Sequence, residues 1–530
     1  MADEGDPQLL SPDPSTRAWA LVKRGISRVD SGEHDAAMSD FLEAERIAEQ
    51  AGLSDLVSVS RLNQGHAFSV KGDAGSAARL FEQAADLTRE RGDTERLALA
   101  LSNLSVVLKQ QGLHADAIAV LTEYLDLPGS RDAAARGHAY VERATSLIEQ
   151  GGYEQAAADL AQADDIATKA DDRSLRYVVR TSRANIYLRM GDVDAARIVL
   201  EQALDLARSS GDPFELQGAL FSLAQVYRLS GLRQQADSLF AEVEQMFRAR
   251  NETTALADAL YWHGVLLGSM GRRQSALSLW REEEAIRREG GQTGHVAECL
   301  YAQADALRRE GDHDAADRAF REAAELFEGL NMTGLLASAL YDHGMSLREA
   351  GRSAEALTRA DEALAEAVSS RDSIVERRAQ SLRAMALADL GEIGAAHEAL
   401  DAAERLCEQT DAQSAKVWVL SRRAYVIACD GGEPQEVVEH LKQAHQYALT
   451  CEKLATGRSA VRKIAAEINA HCDASYAEPL EVFRAEQLEE INRAVTTGMP
   501  PIVTAPPVNP AAPDIPPADD DDLESPFEEE

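Results

Sequence analysis

Eleven glycines (Gly32, Gly72, Gly112, Gly151, Gly191, Gly231, Gly271, Gly311, Gly351, Gly391 and Gly431) divide the chain; nine of the ten intervals are forty residues and one is thirty-nine. A period of this length is the mark of stacked supersecondary units, so it restricts the fold more than any averaged property does. Five residues after the glycine stands alanine, from Ala37 to Ala396, with Glu436 in the last unit. Seven residues before it the side chain is always small: Gly25, Gly65, Ser105, Ala144, Ala184, Ala224, Gly264, Ala304, Gly344, Ala384 and Ala424. Each unit therefore predicts two amphipathic helices joined at a glycine with positive φ, crossing closely at the small residues. Apolar residues at helical spacing, such as Ala196, Leu200 and Ala203, supply the buried stripe. Start signals lie between units. Asp93, Asp212 and Asp372 are placed to cap, Pro213 sits at a first helical position, and Glu215 is expected to close a capping box on Asp212.

Composition narrows the function. Apolar residues make up 45% and aromatics only 5%, which suits closely packed alanine-rich helices. A net charge of −36 argues against nucleic acid, whose phosphates it would repel, and against anionic membrane surfaces. No apolar run approaches the ~18 residues of a membrane span, and the acidic, proline-broken start is unlike a secretory leader. Five cysteines, an odd number without a CxxC pair, read as reduced thiols of a cytoplasmic protein. No phosphate-binding loop, zinc-protease motif or nucleophile elbow is present, so no enzyme activity, cofactor or metal is expected. His263 and His343 share a repeat position and read as helix-surface or hinge-packing residues; Glu282, Glu283 and Glu284 read as a solvated outer face. Trp262 and Trp280 read as fillers of gaps between helices.

With these columns in place, the chain resembles the tetratricopeptide repeats. Gly65, Gly72, Ala77, Phe81 and Ala84 match the family frame, and so do Ala304, Gly311, Ala316, Phe320 and Ala323. The resemblance spans residues 16–450 and implies an all-α, right-handed α-solenoid (superhelix) of about eleven helix-turn-helix repeats. The period of forty departs from the usual one of about thirty-four. It is similar to the longer variety found in spindle-orientation adaptors, bacterial peptide-responsive regulators and sensor arms of transcription activators. Residues 1–15 are expected to be disordered, residues 451–495 to form C-terminal capping helices, and residues 496–530 to form a disordered tail.

Phe221, Tyr261, Tyr301 and Tyr341 recur ten residues before the glycine. The resemblance places this column on the concave face, which the first helices line. Gln225, Val265, Asp305 and Met345 follow four residues later, and Arg228, Gly268, Arg308 and Arg348 seven residues later, on the same helical face. Aromatic rings beside guanidinium groups suit a peptide with carboxylates and a hydrophobic anchor. The same residues also suit a plainer role, with rings wedged between adjacent helices and arginines bonded to neighbouring acids. Asn63, Asn103 and Asn185 are similar to the asparagines with which related arrays hold a peptide backbone, although Val22, Leu62 and Ser102 stand where a full carboxylate clamp needs lysines.

The tail holds nine of the sixteen prolines, and it ends in DDDDLESPFEEE, where Leu523 and Phe527 stand amid carboxylates. Such a segment fits an aromatic–arginine groove and is a candidate for docking into its own chain. The functional expectation is an interaction scaffold whose partners are proteins bound through peptide segments. The alternative is a regulatory sensor that changes conformation on binding a peptide or small effector.

Overall fold

The computed structural model describes residues 7–128, 133–410, 412–450, 454–472 and 474–485, and all regular structure among them is helical. The chain divides into two compact units, Met1–Leu232 and Arg233–Glu530. The first holds α1 (Pro14–Asp30), α2 (His34–Gln50), α3 (Ser54–Val70), α4 (Ala74–Arg91), α5 (Thr94–Gln110), α6 (His114–Asp126), α7 (Ala133–Glu149), α8 (Tyr153–Ala170), α9 (Arg173–Arg189), α10 (Val193–Ser210) and α11 (Pro213–Leu229). The second holds α12 (Arg233–Arg250), α13 (Thr253–Ser269), α14 (Arg273–Glu289), α15 (Thr293–Glu310), α16 (His313–Gly329), α17 (Thr333–Glu349), α18 (Ser353–Ser370), α19 (Ser373–Asp389), α20 (Ile393–Gln409), α21 (Gln413–Cys429), α22 (Pro434–Thr450) and α23 (Leu454–His471). Each unit is an α-solenoid of helical hairpins. Pro7–Leu10, in the stretch expected to lack structure, forms a 3-10 turn whose Leu9 packs on the α1 core.

The hinge glycines take φ between 71° and 83°, as their spacing predicts. At Gly391 the glycine N–H bonds Ala388 O (3.0 Å) and the next N–H bonds Leu387 O (2.9 Å), which satisfies carbonyls a helix end leaves open. A second left-handed column was not read from the sequence. Gly52, Gly92, Asp171, Gly211, Asn251, Gly291, Asn331 and Arg371 all have positive φ, twenty residues after a hinge glycine. Glycine marks only half of these turns, so the column is hard to see in the sequence.

Of the expected caps, Asp93 accepts from Arg96 N and Asp372 from Ile374 N and Val375 N. Asp212 accepts from Phe214 N, but Glu215 does not return to the Asp212 N–H. Ser210 intervenes: its hydroxyl donates to Glu215 (2.7 Å) and accepts from Asp212 N (3.2 Å), so the expected box is replaced by a serine bridge.

The small column works differently from a simple approach of two backbones. A Cβ on Gly65 would sit 2.8 Å from Phe81, and one on Gly264 would clash with the indole of Trp280. Glycine there makes room for an aromatic ring on the second helix. Trp280 fills its gap completely and donates from Nε1 to Tyr261 O (3.2 Å).

Within each unit, first helices touch first helices: α1 with α3, α3 with α5, α7 with α9 and α9 with α11, then α13 with α15, α15 with α17, α17 with α19 and α19 with α21. The layer whose members touch follows the shorter arc, so the first helices form the inner wall. After the last repeat α23 packs on α21 and α22 through Val461, Ile464 and Ile468; residues 451–453, 473 and 486–495 of the expected capping segment lie outside the described residues. A further helical stretch covers 477–485. Among the described residues, no helix is long and apolar enough to cross a membrane.

Candidate functional site

In the second unit, the aromatic and arginine columns lace one first helix to the next. Tyr301 on α15 donates its hydroxyl to Asp342 on α17. Arg308 on α15 bonds Asp305 (2.8 Å) on its own helix and Glu349 (2.8 Å) on α17. Arg348 on α17 reaches Asp389 (2.9 Å) on α19 and Glu467 (2.9 Å) on α23, with its guanidinium 4.8 Å from the Tyr425 ring centroid. Tyr341 is buried beneath the guanidinium of Arg378, at 4.5 Å, and Met345 is buried beside it. Tyr261 is half-buried and meets Trp262 edge-on. The plainer expectation for the row, rings and arginines bonded to neighbouring helices, thus describes Tyr301, Arg308, Tyr341 and Arg348. Phe221, Gln225 and Arg228 belong to the first unit, where Arg228 donates to Gln225 (3.2 Å).

Burial sets the electrostatics of this wall. It pushes the Tyr301 phenol well above its usual value, with the Asp342 carboxylate adding to the rise. Asp342 is itself raised by burial, against the opposing Arg378. For Asp305 burial acts upward, but Arg308 and Arg309 outweigh it and hold the carboxyl low.

Three polar residues sit inside the second unit, where the sequence placed them at its surface or hinge. His263 is buried, stacked on Phe240, and bonded to Glu244 (2.5 Å) and Asp237 (2.8 Å). Burial lowers its pKa, but the two carboxylates outweigh this and raise it. His343 stacks on Phe320 and bonds Asp317 alone (2.6 Å); burial prevails and its pKa is lowered. The glutamate triplet is not all solvated. Glu282 faces outward, paired with Arg248 (2.9 Å), but Glu284 is half-buried between Arg288 (2.9 Å) and Gln303 (2.7 Å) on α15, and Glu283 is 1% exposed. Its carboxyl, between Cys299 and Arg287, is pushed by burial up to about 7. Its helical position is the reason: twelve residues past the hinge is the face that α14 turns toward α13 and α15.

The inner wall of the first unit presents a different surface. Trp19 and Ile26 on α1 and Leu99 and Val106 on α5 are 39%, 41%, 53% and 42% exposed. They occupy the columns thirteen and six residues before the hinge, so they share one face of the first helices. His66 stands in the same column on α3, and it too is exposed. Asn63 is turned onto its own helix by a bond to Val59 O (2.8 Å), whereas the half-buried Asn103 and Asn185 amides make no hydrogen bond among the described residues. Farther along the same wall, Lys109 pairs with Glu142 and Arg189 with Glu149 (2.9 Å). Leu99 and Val106 were missed because α5 is apolar on both faces, so periodicity alone does not separate outward from inward leucines.

On the outer side of the second unit, α16 and α18 stand apart over α17. The cleft between them, of about 650 Å³, has Leu336, Leu340 and Leu347 as its floor and Glu325, Glu328 and Glu366 on its rim. The tail residues Leu523 and Phe527 lie outside the described residues.

Comparison with known proteins places this fold among repeat arrays. Residues 179–210 and 297–329 match the profile described as tetratricopeptide repeat. No curated protein matches the chain. Among solved structures, the chain is similar to a signal transduction ATPase with numerous domains that carries a tetratricopeptide repeat sensor, from Pyrococcus horikoshii. That likeness has 14% identity, covers 67% of this chain and 52% of that one, and has a TM-score of 0.52. The chain thus spans about half the length of that relative. It is also similar to the apo form of RapI, at 15% identity over 69% of this chain and 99% of that one, with a TM-score of 0.55. At such identities these are likenesses of fold. Taken with the hinge and small-residue columns, they give the chain the fold of tetratricopeptide-repeat arrays, with residues 179–210 and 297–329 matching that family's profile.

Proposed function

We propose that this protein is an interaction scaffold that holds a peptide segment of another protein along its wall of first helices. The observation that carries this reading is the open inner face of the first unit, where Trp19, Ile26, Leu99 and Val106 stay 39–53% exposed near the Asn103 amide. Large apolar groups left half in water gain when a partner covers them, and free amides suit an extended backbone. In the second unit, Tyr261 and Tyr301 are proposed to offer ring edges to a ligand while keeping their structural contacts. The role is one of binding rather than catalysis. The acidic tail, through Leu523 and Phe527, is proposed to compete for the same kind of surface.

The sensor reading has one specific support. Arg348 on the inner wall bonds Glu467 on the capping helix, so a ligand that displaces this pair would be felt at the C-terminal end.

Affinity capture from lysate of the source cells tests the scaffold. The baits are the intact protein, a Trp19→Ser/Leu99→Ser/Val106→Ser variant, and a Tyr261→Ala/Tyr301→Ala/Arg308→Ala variant. Loss of a captured protein with the first variant, at unchanged helicity and thermal stability, supports the first-unit wall as its site. Equal capture by all three baits would refute binding on the inner wall.

A further inference from the structure

Two of the cysteines are neighbours in space though 43 residues apart in sequence. Cys429 is the last residue of α21 and Cys472 follows α23; their sulfurs are 3.9 Å apart. That is van der Waals contact between two thiols, against about 2.05 Å in a bonded pair. Both are half-buried, unlike Cys299 and Cys407, which are sealed in the core. The encounter is held by the fold. Just beyond Cys472, the Tyr476 hydroxyl donates to Gly432 O (2.6 Å) and Ala428 O (3.3 Å), tying this segment to the end of α21. Asp389, which accepts from Tyr425 (2.6 Å) and pairs with Arg348, lies beside the thiols.

We propose that Cys429 and Cys472 form an oxidation-sensitive site that closes to a disulfide and pins the capping helix α23 to the last repeat. The two thiols make one S–H···S contact, in which either sulfur can be the donor. The bond from Cys429 holds the Cys472 thiol below its ordinary value, while the same bond and burial push Cys429 up. In the proposed site Cys472 attacks first, as the thiolate. With a peroxide as oxidant, the Cys472 sulfur takes one peroxide oxygen, the O–O bond breaks, and the other oxygen leaves as water. Cys429 then attacks the resulting sulfenic sulfur, the S–S bond forms, and the hydroxyl leaves as a second water. Two thiols and one hydrogen peroxide thus give one disulfide and two waters. The bond would fix the position of α23, and with it Glu467 against Arg348.

The test uses the full-length chain, reduced and then treated with hydrogen peroxide at low excess. Three of the five thiols should remain titratable under denaturing conditions. The intact mass should fall by about 2 Da. A non-reducing tryptic digest should join peptide 424–442 to peptide 464–484. Amide exchange in α23 should slow by roughly tenfold or more, and a thiol reductant should reverse this. The Cys472→Ser variant should show no such slowing. A chain that keeps all five thiols, or links Cys472 to Cys451 or to a second chain, would overturn the assignment. So would a disulfide that leaves exchange in α23 unchanged.

Discussion

Glu283 occupies the position where seven other repeats place alanine, among them Ala203, Ala323 and Ala363. Its cost depends on pH, and the sign follows from burial. The folded chain keeps the proton until about 7, whereas the unfolded chain releases it near the ordinary glutamate value of 4.5. The protonated form therefore contributes its full stability below 4.5, and the contribution is lost as pH rises toward 7 and beyond. Glu283→Gln keeps the shape and removes the titration. It should raise stability at pH 8 by on the order of 2 kcal/mol and leave it unchanged at pH 4. Urea unfolding at both pH values checks this, and an unchanged pH slope would sink it. Arg371 poses a second residue-scale question, since its φ of 58° is a conformation that glycine, asparagine and aspartate take at the equivalent turns. Arg371→Gly should stabilise by about 0.5–1 kcal/mol, read as a higher urea midpoint.

At the scale of elements, the hairpin crossing is the sensitive point. Gly264 on α13 faces the fully buried indole of Trp280 on α14, which has no room to retreat. Gly264→Ala should cost about 2 kcal/mol and shift the tryptophan emission of the second unit, whereas Ala304→Gly at the equivalent place should cost less than 1 kcal/mol. The glycine hinges and the aspartate caps could be read in the sequence, because each rests on local backbone chemistry that a particular residue type reveals. The buried Glu283 could have been read too, as an outlier in an alanine column. The rungs from Tyr301 to Asp342 and from Arg308 to Glu349 could not. They link residues 41 apart on neighbouring first helices, and that register depends on how the hairpins stack. The exposed face of Trp19, Leu99 and Val106 was hidden for a related reason: in an array, some apolar columns face the next repeat and others face the inner surface, and hydropathy scores them alike.

At the scale of the whole molecule, charge governs association. The chain carries −36, and its last stretch adds Asp and Glu without a compensating Lys or Arg. If the tail competes for the inner wall, a chain ending at Val495 should retain more captured partner than the intact one at low ionic strength. The difference should shrink toward zero near 1 M salt, where the screening length is about 3 Å. Equal retention at every salt concentration would rule out competition. The rungs also have a consequence for the order in which the chain is made. Each hairpin closes through partners a few tens of residues apart, so it has what it needs soon after leaving the ribosome. Arg348 is different: one of its carboxylates, Glu467, is 119 residues downstream. The inner wall around Arg348 therefore stays unfinished until α23 emerges, and a nascent chain halted before that helix would leave this guanidinium short of one partner.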